Sequence, residues 1–177
     1  MALFECKKKS SSGFVDYMYF TSLASGTFTD TCKVGDIYVL VEGYNDTPTI
    51  NSGLELLEEW TCGTQTYYKA HMYRATSTSV SISYGHPFTI AKFSKNGKQV
   101  SYDLLNLTAN VELSISCEYG DILCFPFVYG YATYTLGANI MKMAENAPTS
   151  NRISIFRATG TTVGFTNSNS YKILRFY

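Results

Sequence analysis

The sequence predicts an all-β protein built from two tandem homologous β-sandwich units, of the jelly-roll or immunoglobulin-like kind. A hexapeptide that begins with Cys and ends in Gly-Asp-Ile occurs at residues 32–37 (CKVGDI) and again at 117–122 (CEYGDI). A second block, YRATSTSV at 73–80, recurs in the same order as FRATGTTV at 156–163. Two matches in register indicate a duplicated unit, and the abundance of Tyr, Phe, Thr and Ser is typical of β-sheets.

The duplication divides the chain into two units of similar length. When the alignment is extended from both blocks, unit 1 covers residues 9–93 and unit 2 covers residues 94–177, behind a short N-terminal arm of residues 1–8. Repeats of solenoid proteins are about 20–50 residues long, so this longer period predicts duplicated domains.

Each unit is predicted to contain about six short strands separated by turns. The predicted strands of unit 1 are residues 14–20, 27–31, 36–41, 67–76, 80–84 and 88–93. Residues 37–41 are apolar or aromatic at every position, which favours a central strand covered on both faces. Serine alternates with larger side chains over residues 79–84, which indicates a strand with one wet face.

Residues 52–60 carry conflicting signals. Ser52 and Glu55 have the spacing of a helix capping box. The aligned segment of unit 2 instead carries Met141 and Met143 at the spacing of a strand. A further strand is favoured, and a short helix is the alternative.

Two charged positions are retained in both units, Asp36 with Asp121 and Arg74 with Arg157. The pleat of the strand places each arginine on its inward face, where a charge requires a partner. We therefore expect Asp36 to pair with Arg74, and Asp121 with Arg157. The alternative is that each aspartate accepts hydrogen bonds from the backbone of its own Gly-Asp turn.

Cysteines and histidines provide little evidence for a chemical site. The five cysteines are an odd number and contain no Cys-x-x-Cys pair, so neither a complete disulfide framework nor a zinc site is expected. Cys32 and Cys117 occupy equivalent positions and are expected to be small buried residues. His71, on the polar face of a strand, and His86, in a turn, are expected to face solvent.

Composition excludes several classes of function. The formal net charge is zero and 16% of the residues are charged, which does not favour nucleic acid as a partner. No apolar stretch has the length of a signal peptide or a membrane span, so a soluble protein made in the cytosol and not inserted in a membrane is expected. No nucleophile elbow, phosphate loop or metalloprotease motif is present, so we expect no catalytic residues, no metal and no cofactor.

A ligand site is expected in the loops where the two units differ. These loops place aromatic rings beside Asn, Asp and Thr, a combination that suits stacking on a sugar and hydrogen bonding to its hydroxyls. The candidate ligand-binding residues are Tyr44, Trp60, Tyr67, Tyr129, Tyr131 and Tyr134. The alternative is that these rings pack inside sheets and interfaces, with Trp60 as the anchor of a core or of a subunit contact.

Three stretches resemble a known group of proteins: GDIYVL at 35–40, YRAT at 73–76 followed by SVSIS at 79–83, and MALFECKK at 1–8. They are similar to the β-rich minor structural proteins of tailed bacteriophages and prophages. The resemblance implies a virion component of the tail, baseplate or head decoration, built from β-sandwich modules and often oligomeric. It supplies no catalytic residue.

The resemblance and the composition together predict a non-enzymatic phage structural or adhesion protein. It would be assembled in the host cytoplasm into the virion, as a homo-oligomer that binds other virion proteins or host-surface glycans. A free carbohydrate-binding module is the first alternative. A small glycan-active enzyme is the second, and it would require a concave site with convergent carboxylates.

Overall fold

The structure is a computed structural model that describes residues 15–44, 46–63, 65–96, 98–128, 133–146, 151–169 and 171–177. Within these residues the regular structure consists of sixteen β-strands without a helix, which confirms the predicted all-β class. The strands of unit 1 are β1 (Asp16–Leu23), β2 (Gly26–Thr31), β3 (Ile37–Glu42), β4 (Thr49–Ser52), β5 (Leu54–Thr61), β6 (Lys69–Ala75), β7 (Ser79–Tyr84) and β8 (Phe88–Ser94). The strands of unit 2 are β9 (Tyr102–Asn106), β10 (Glu112–Ser116), β11 (Ile122–Val128), β12 (Tyr134–Leu136), β13 (Ile140–Glu145), β14 (Asn151–Ala158), β15 (Thr162–Asn167) and β16 (Lys172–Phe176).

The ambiguous segment 52–60 forms strands, so the strand prediction is confirmed and the helix alternative is wrong. The backbone leaves β4 after Ser52 and enters β5 at Leu54 through Gly53, whose φ is 69°. Residues other than glycine adopt this left-handed conformation only with strain, which explains the glycine at the junction.

Each unit is a sandwich of one five-stranded and one three-stranded antiparallel sheet. The strand orders are β1-β8-β3-β6-β5 and β2-β7-β4 in unit 1, and β9-β16-β11-β14-β13 and β10-β15-β12 in unit 2. Adding eight to each strand number of unit 1 gives the order in unit 2. Pairing of the first strand with the eighth, and of the second with the seventh, is the jelly-roll arrangement rather than the immunoglobulin one.

Strand β3 is apolar on both faces because each face covers a different core. Tyr38 and Leu40 point between the two sheets of unit 1. Ile37, Val39 and Val41 point the other way and pack against unit 2. A strand with two buried faces reads as a continuous apolar run, as the sequence indicated.

The five-stranded sheets of the two units pack face to face over this shared core. The rings of Phe93 and Phe176, one from each unit, have centroids 4.4 Å apart. Unit 1 also contributes Met72 and Trp60, and unit 2 contributes Ile155 among others. The two units therefore bury apolar surface that neither would bury by itself.

Strands β3 and β11 run in the same direction. Phe93 and Phe176 pair with the first residues of these strands. At the other end, Thr89 donates a hydrogen bond from Oγ1 to the carbonyl oxygen of Asn151 at 2.7 Å, and these residues pair near the last residues of β3 and β11. Both Gly-Asp turns consequently lie at one end of the molecule, here called the turn end, and the opposite end is called the loop end.

The two sequence blocks that occur twice in the chain are hydrogen-bonded to each other in each unit. The amide of Gly35 donates to the carbonyl of Ala75, and that of Gly120 donates to Ala158, each at 2.9 Å. The copied blocks are thus the two halves of one turn-and-strand junction, which occurs twice.

Each retained aspartate caps its own turn, as the alternative interpretation predicted. Oδ2 of Asp36 accepts from the amide of Lys33 at 3.0 Å, and Oδ2 of Asp121 accepts from the amide of Glu118 at 2.8 Å. Buried carboxylates require such donors, because an unpaired buried charge is costly.

The predicted pairs Asp36–Arg74 and Asp121–Arg157 are wrong. Arg74 is the cross-strand neighbour of Ile37, so its side chain lies on the face of the sheet that meets unit 2. The aspartate lies on the opposite face, since successive side chains of a strand alternate. The equivalent strand pairing in unit 2 separates the second pair in the same way.

The cations beside the aspartates come from the last strand of each unit. Lys92 Nζ lies 3.5 Å from Oδ2 of Asp36, and Arg175 Nε donates to Oδ2 of Asp121 at 2.7 Å. The two cations are at equivalent positions of β8 and β16.

Both copied arginines instead reach towards the other unit. Arg157 of unit 2 lies 3.9 Å from Oδ1 of Asp16 at the start of β1. With the side-chain amide of Gln99 in its flipped orientation, which satisfies both of its polar atoms, the amide oxygen accepts from both terminal nitrogens of Arg74 at 3.1 Å each. Gln99 precedes β9. The retained arginines therefore connect units rather than stabilise a turn.

Candidate ligand-binding site

Two of the predicted aromatic residues pack in or against a hydrophobic core and do not form an exposed sugar platform. Trp60 is 5% exposed and belongs to the shared core, as its alternative interpretation predicted. Tyr134 packs among the aromatic rings in the core of unit 2, and its hydroxyl donates to Glu145 Oε2 at 2.6 Å. The binding roles predicted for both rings are corrected accordingly. Tyr129 and Tyr131 lie outside the described residues.

Tyr44, at the loop end, is an exposed aromatic platform. Its side chain is 45% exposed. The ring stacks on that of His86, with centroids 4.1 Å apart and an interplanar angle of 13°. Nε2 of His86 lies 3.0 Å from Oδ2 of Asp46, so the carboxylate fixes the imidazole. Tyr67 is half-buried and makes an edge contact with Tyr68.

A shallow, open cleft with a volume of about 420 Å³ lies next to this aromatic pair. The two rings do not line it, but His86 contacts two residues that do, Asp46 and Tyr84. Asp46 and Tyr84 line it together with hydroxyl side chains, among them those of Thr27, Thr49 and Ser83. Oγ1 of Thr27 and Oγ of Ser83 are 2.8 Å apart. The cleft therefore offers hydroxyl groups that can both donate and accept hydrogen bonds.

Glu42, the last residue of β3, lies in the interior next to the site and forms hydrogen bonds with two of its residues. Its carboxylate is completely buried. Oε2 accepts from the hydroxyl of Tyr84 and from the backbone amide of Tyr44, at 2.8 Å in both cases. Burial, followed by the hydrogen bond to Glu42, raises the pKa of Tyr84, so this hydroxyl stays a donor. The buried carboxylate thus holds the chain that presents the exposed ring.

His71 lies between the buried Glu42 and the partly exposed Glu59. The expectation that His71 faces solvent is wrong, because its side chain is buried. Nε2 forms a hydrogen bond of 3.3 Å with Glu42 Oε1, whereas Nδ1 lies 3.3 Å from Glu59 Oε2 without the geometry of a hydrogen bond. Ser154 occupies the same strand position in unit 2, where its hydroxyl donates to Glu145 at 2.6 Å. The polar face predicted for this strand is an internal hydrogen-bond network rather than a wet surface.

Replacing Glu42 with glutamine is expected to lower the free energy of unfolding by about 1–2 kcal/mol, because hydrogen bonds to a charged group become neutral ones. Urea unfolding measures the change. Glu55→Gln, on an exposed side chain of β5, is the matched control and should stay within about 0.5 kcal/mol of the parent. Equal stability of the two variants would mean that the buried carboxylate does not support the loop end.

A second cleft lies at the turn end, beside Lys92 and Asp36. The ammonium of Lys92 is already engaged by Oδ2 of Asp30 at 2.8 Å and by the carbonyl of Thr31 at 3.0 Å. A lysine whose donors are used within the protein has little capacity for a ligand. This cluster is structural.

The cysteines and the other potential metal ligands that the structure describes form no metal site. Cys32 and Cys117 are buried, as expected of packing residues, and burial raises the pKa of the Cys117 thiol to about 11. In the part of the chain that the structure describes, no group of His, Cys, Asp and Glu side chains has the geometry to hold a metal ion. Nor does that part contain a helix long and apolar enough to cross a membrane.

Comparison with known proteins gave no match, whether with family models, with curated proteins or with solved structures.

Sequence reasoning found Tyr44 but not the residues that fix it. His86 and Tyr84 lie about forty residues further along the chain, and no sequence pattern links them to Tyr44. The one available signal was Glu42, a charged residue at the end of an otherwise apolar strand, which implies buried partners.

Proposed function

We propose that the protein is a non-enzymatic binding protein of a bacteriophage particle that recognises a saccharide at the Tyr44 site. The observation that carries the saccharide role is the exposed Tyr44 ring, stacked on His86 beside a cleft lined with hydroxyl groups. An aromatic face and a few convergent polar groups are what a sugar requires of its site. The particle context, with other virion proteins as neighbours, is supported by the sequence resemblance.

The jelly-roll fold is compatible with both parts of this proposal, since viral capsid proteins and lectins use it. A fold alone does not assign a function, so the site carries the argument. Glycoside hydrolysis requires two carboxyl groups across the scissile bond. Among the described residues that line the cleft, Asp46 is the single carboxylate, and the buried Glu42 does not reach it. These features favour binding over catalysis.

The negative charge of the cleft favours neutral sugars and amino sugars over acidic ones. Asp46 is the charged group among its described lining residues, and 71% of its side chain is exposed. An acidic sugar would meet a like charge here, which opposes binding. Neutral sugars and amino sugars are therefore the proposed ligands.

Replacing Tyr44 with alanine is expected to weaken saccharide binding at least about ten-fold, which corresponds to ~1.4 kcal/mol. The measurement begins with an array of neutral, amino and acidic oligosaccharides and continues with calorimetric titration of the best ligand. Tyr44→Phe keeps the stacking ring and should retain most of the affinity. Tyr177→Ala removes an exposed tyrosine of unit 2 far from the loop end and is the matched control.

Two outcomes would contradict the proposed function. One is the absence of any saccharide ligand from a broad array at high protein concentration. The other is a saccharide whose affinity is the same for the parent protein and for Tyr44→Ala, because binding would then occur elsewhere.

A further inference from the structure

The copied Gly-Asp turns form two rigid projections at the turn end. In each turn the carbonyl of the first residue accepts a hydrogen bond from the amide of the aspartate, at 3.1 Å. The third residue is a glycine with positive φ, 94° at Gly35 and 100° at Gly120. This is the geometry of a type II β-turn, in which the second residue, Val34 or Tyr119, lies at the tip.

Both tips carry an apolar side chain into solvent. Val34 is 62% exposed and Tyr119 is 66% exposed, the highest values among the large apolar side chains that the structure describes. Side chains on a preorganised turn lose little conformational freedom when they are covered. The saccharide site at the loop end uses neither residue.

The residues beside the tips carry opposite charges. Lys33 precedes Val34 in unit 1, and Glu118 precedes Tyr119 in unit 2, and both side chains are exposed. The backbone geometry of the two turns is the same, so the turn end presents one positive and one negative copy of the same projection.

We propose that the turn end binds a second copy of this chain about a twofold axis. In this dimer the Lys33 turn of each copy lies against the Glu118 turn of the partner subunit, and Val34 lies against Tyr119 of the partner subunit. A twofold axis repeats each contact, so one docking forms two ion pairs and two apolar contacts.

Charge complementarity selects both the occupant and the orientation. A second copy supplies the two opposite charges at the spacing that the first copy requires. The other twofold arrangement would set Lys33 against Lys33 and Glu118 against Glu118, and like charges in an interface are costly. The Gly-Asp turn therefore has the same structural role in both units. The residues that differ between the two turns, at the positions of Lys33 and Glu118 and of Val34 and Tyr119, form the contacts of the dimer.

The test is the oligomeric state of the full chain, measured by sedimentation over a micromolar to millimolar concentration series. The parent protein should dimerise. Lys33→Glu and Glu118→Lys should each raise the dissociation constant roughly ten-fold to a hundred-fold, because each creates like-charge contacts. The double variant with both reversals should restore the dimer. A parent protein that is monomeric throughout, or a double variant that stays dissociated, would overturn the proposal.

A second pair of variants tests the apolar contact. Tyr119→Ser should weaken the dimer, whereas Val111→Ser should leave it unchanged, because Val111 precedes β10 at the loop end and is also more than half exposed. Equal effects of the two substitutions would indicate non-specific association and would overturn the assignment of the turn end. Far-UV circular dichroism verifies that each variant is folded.

Discussion

Replacing Phe176 with alanine is expected to lower the free energy of unfolding by about 3–5 kcal/mol, the range for deletion of a buried phenylalanine ring. Phe176 is completely buried in the shared core, and the ring of Phe93 lies against it. The cavity would therefore open between the units, and both would lose packing. Urea unfolding followed by far-UV circular dichroism and by tryptophan fluorescence measures the effect.

Trp60 makes the coupling of the units measurable, because it is the one tryptophan of the chain and belongs to unit 1 within the shared core. Phe165→Ala is the matched variant, since Phe165 is completely buried in the core of unit 2 alone. If the shared core makes unfolding a single transition, this substitution in unit 2 shifts the fluorescence transition of Trp60 as much as the dichroism transition.

Independent unfolding would give a different result. Phe165→Ala would then shift only part of the dichroism signal and leave the Trp60 transition in place. That outcome would show that face-to-face packing contributes too little to couple the units, and it would contradict the expectation that Phe176→Ala destabilises both of them.

Much of the fold could be predicted from the sequence, because strand patterns are local. The alternation of residues 79–84 and the strand spacing of Met141 and Met143 each identified a strand correctly. The run 37–41 correctly indicated two buried faces. The sequence does not show that one of these faces packs against a second unit, because the same apolar residue types line a core within a unit and a core between units.

The errors at charged positions have a common cause. Pairing Asp36 with Arg74 matched two retained charges but ignored that they lie on opposite faces of the sheet. The correct cations, Lys92 and Arg175, occupy equivalent positions of the two units, but they are a lysine and an arginine, and the pairing considered only charged residues that are identical in both units. The expectation that His71 faces solvent rests on the polar face of its strand, yet His71 and the aligned Ser154 both belong to buried networks. Polarity alone does not distinguish a wet face from an internal network.

Replacing Lys92 with methionine is expected to lower the free energy of unfolding by about 3–5 kcal/mol, because removal of one partner leaves buried charges uncompensated. Its ammonium lies 2.8 Å from Oδ2 of Asp30 and 3.5 Å from Oδ2 of Asp36. Only 8% of the lysine side chain is exposed. Water can therefore do little to replace the lost cation.

Arg175→Met is the matched variant in unit 2 and should lower the free energy of unfolding by less than Lys92→Met does. Arg175 has two carboxylate partners, of which Asp121 is 5% exposed and Asp103 is 41% exposed. Its own side chain is 18% exposed, against 8% for Lys92, so solvent can compensate part of the loss. Combining Lys92→Met with Asp30→Asn should recover part of the stability, since one buried charge is then removed with its partner. An equal cost of the two methionine variants would mean that depth of burial does not set the energy of these clusters.

The destabilisation of Lys92→Met is expected to depend on pH. Burial by itself would raise the pKa of Asp30, but hydrogen bonds from Lys92 and Tyr38 lower it below its ordinary value. A lowered pKa in the folded state contributes stability that is present above the ordinary carboxyl pKa of about 3.9 and is lost as the pH falls. Without Lys92, burial acts on Asp30 with no opposing hydrogen bond from the ammonium, and protonation of Asp30 removes the buried negative charge.

Urea unfolding should therefore show a large difference in the free energy of unfolding between parent and variant at neutral pH, and a small difference at about pH 4. A gap that is independent of pH would mean that Lys92 contributes packing of its aliphatic stem rather than its charge.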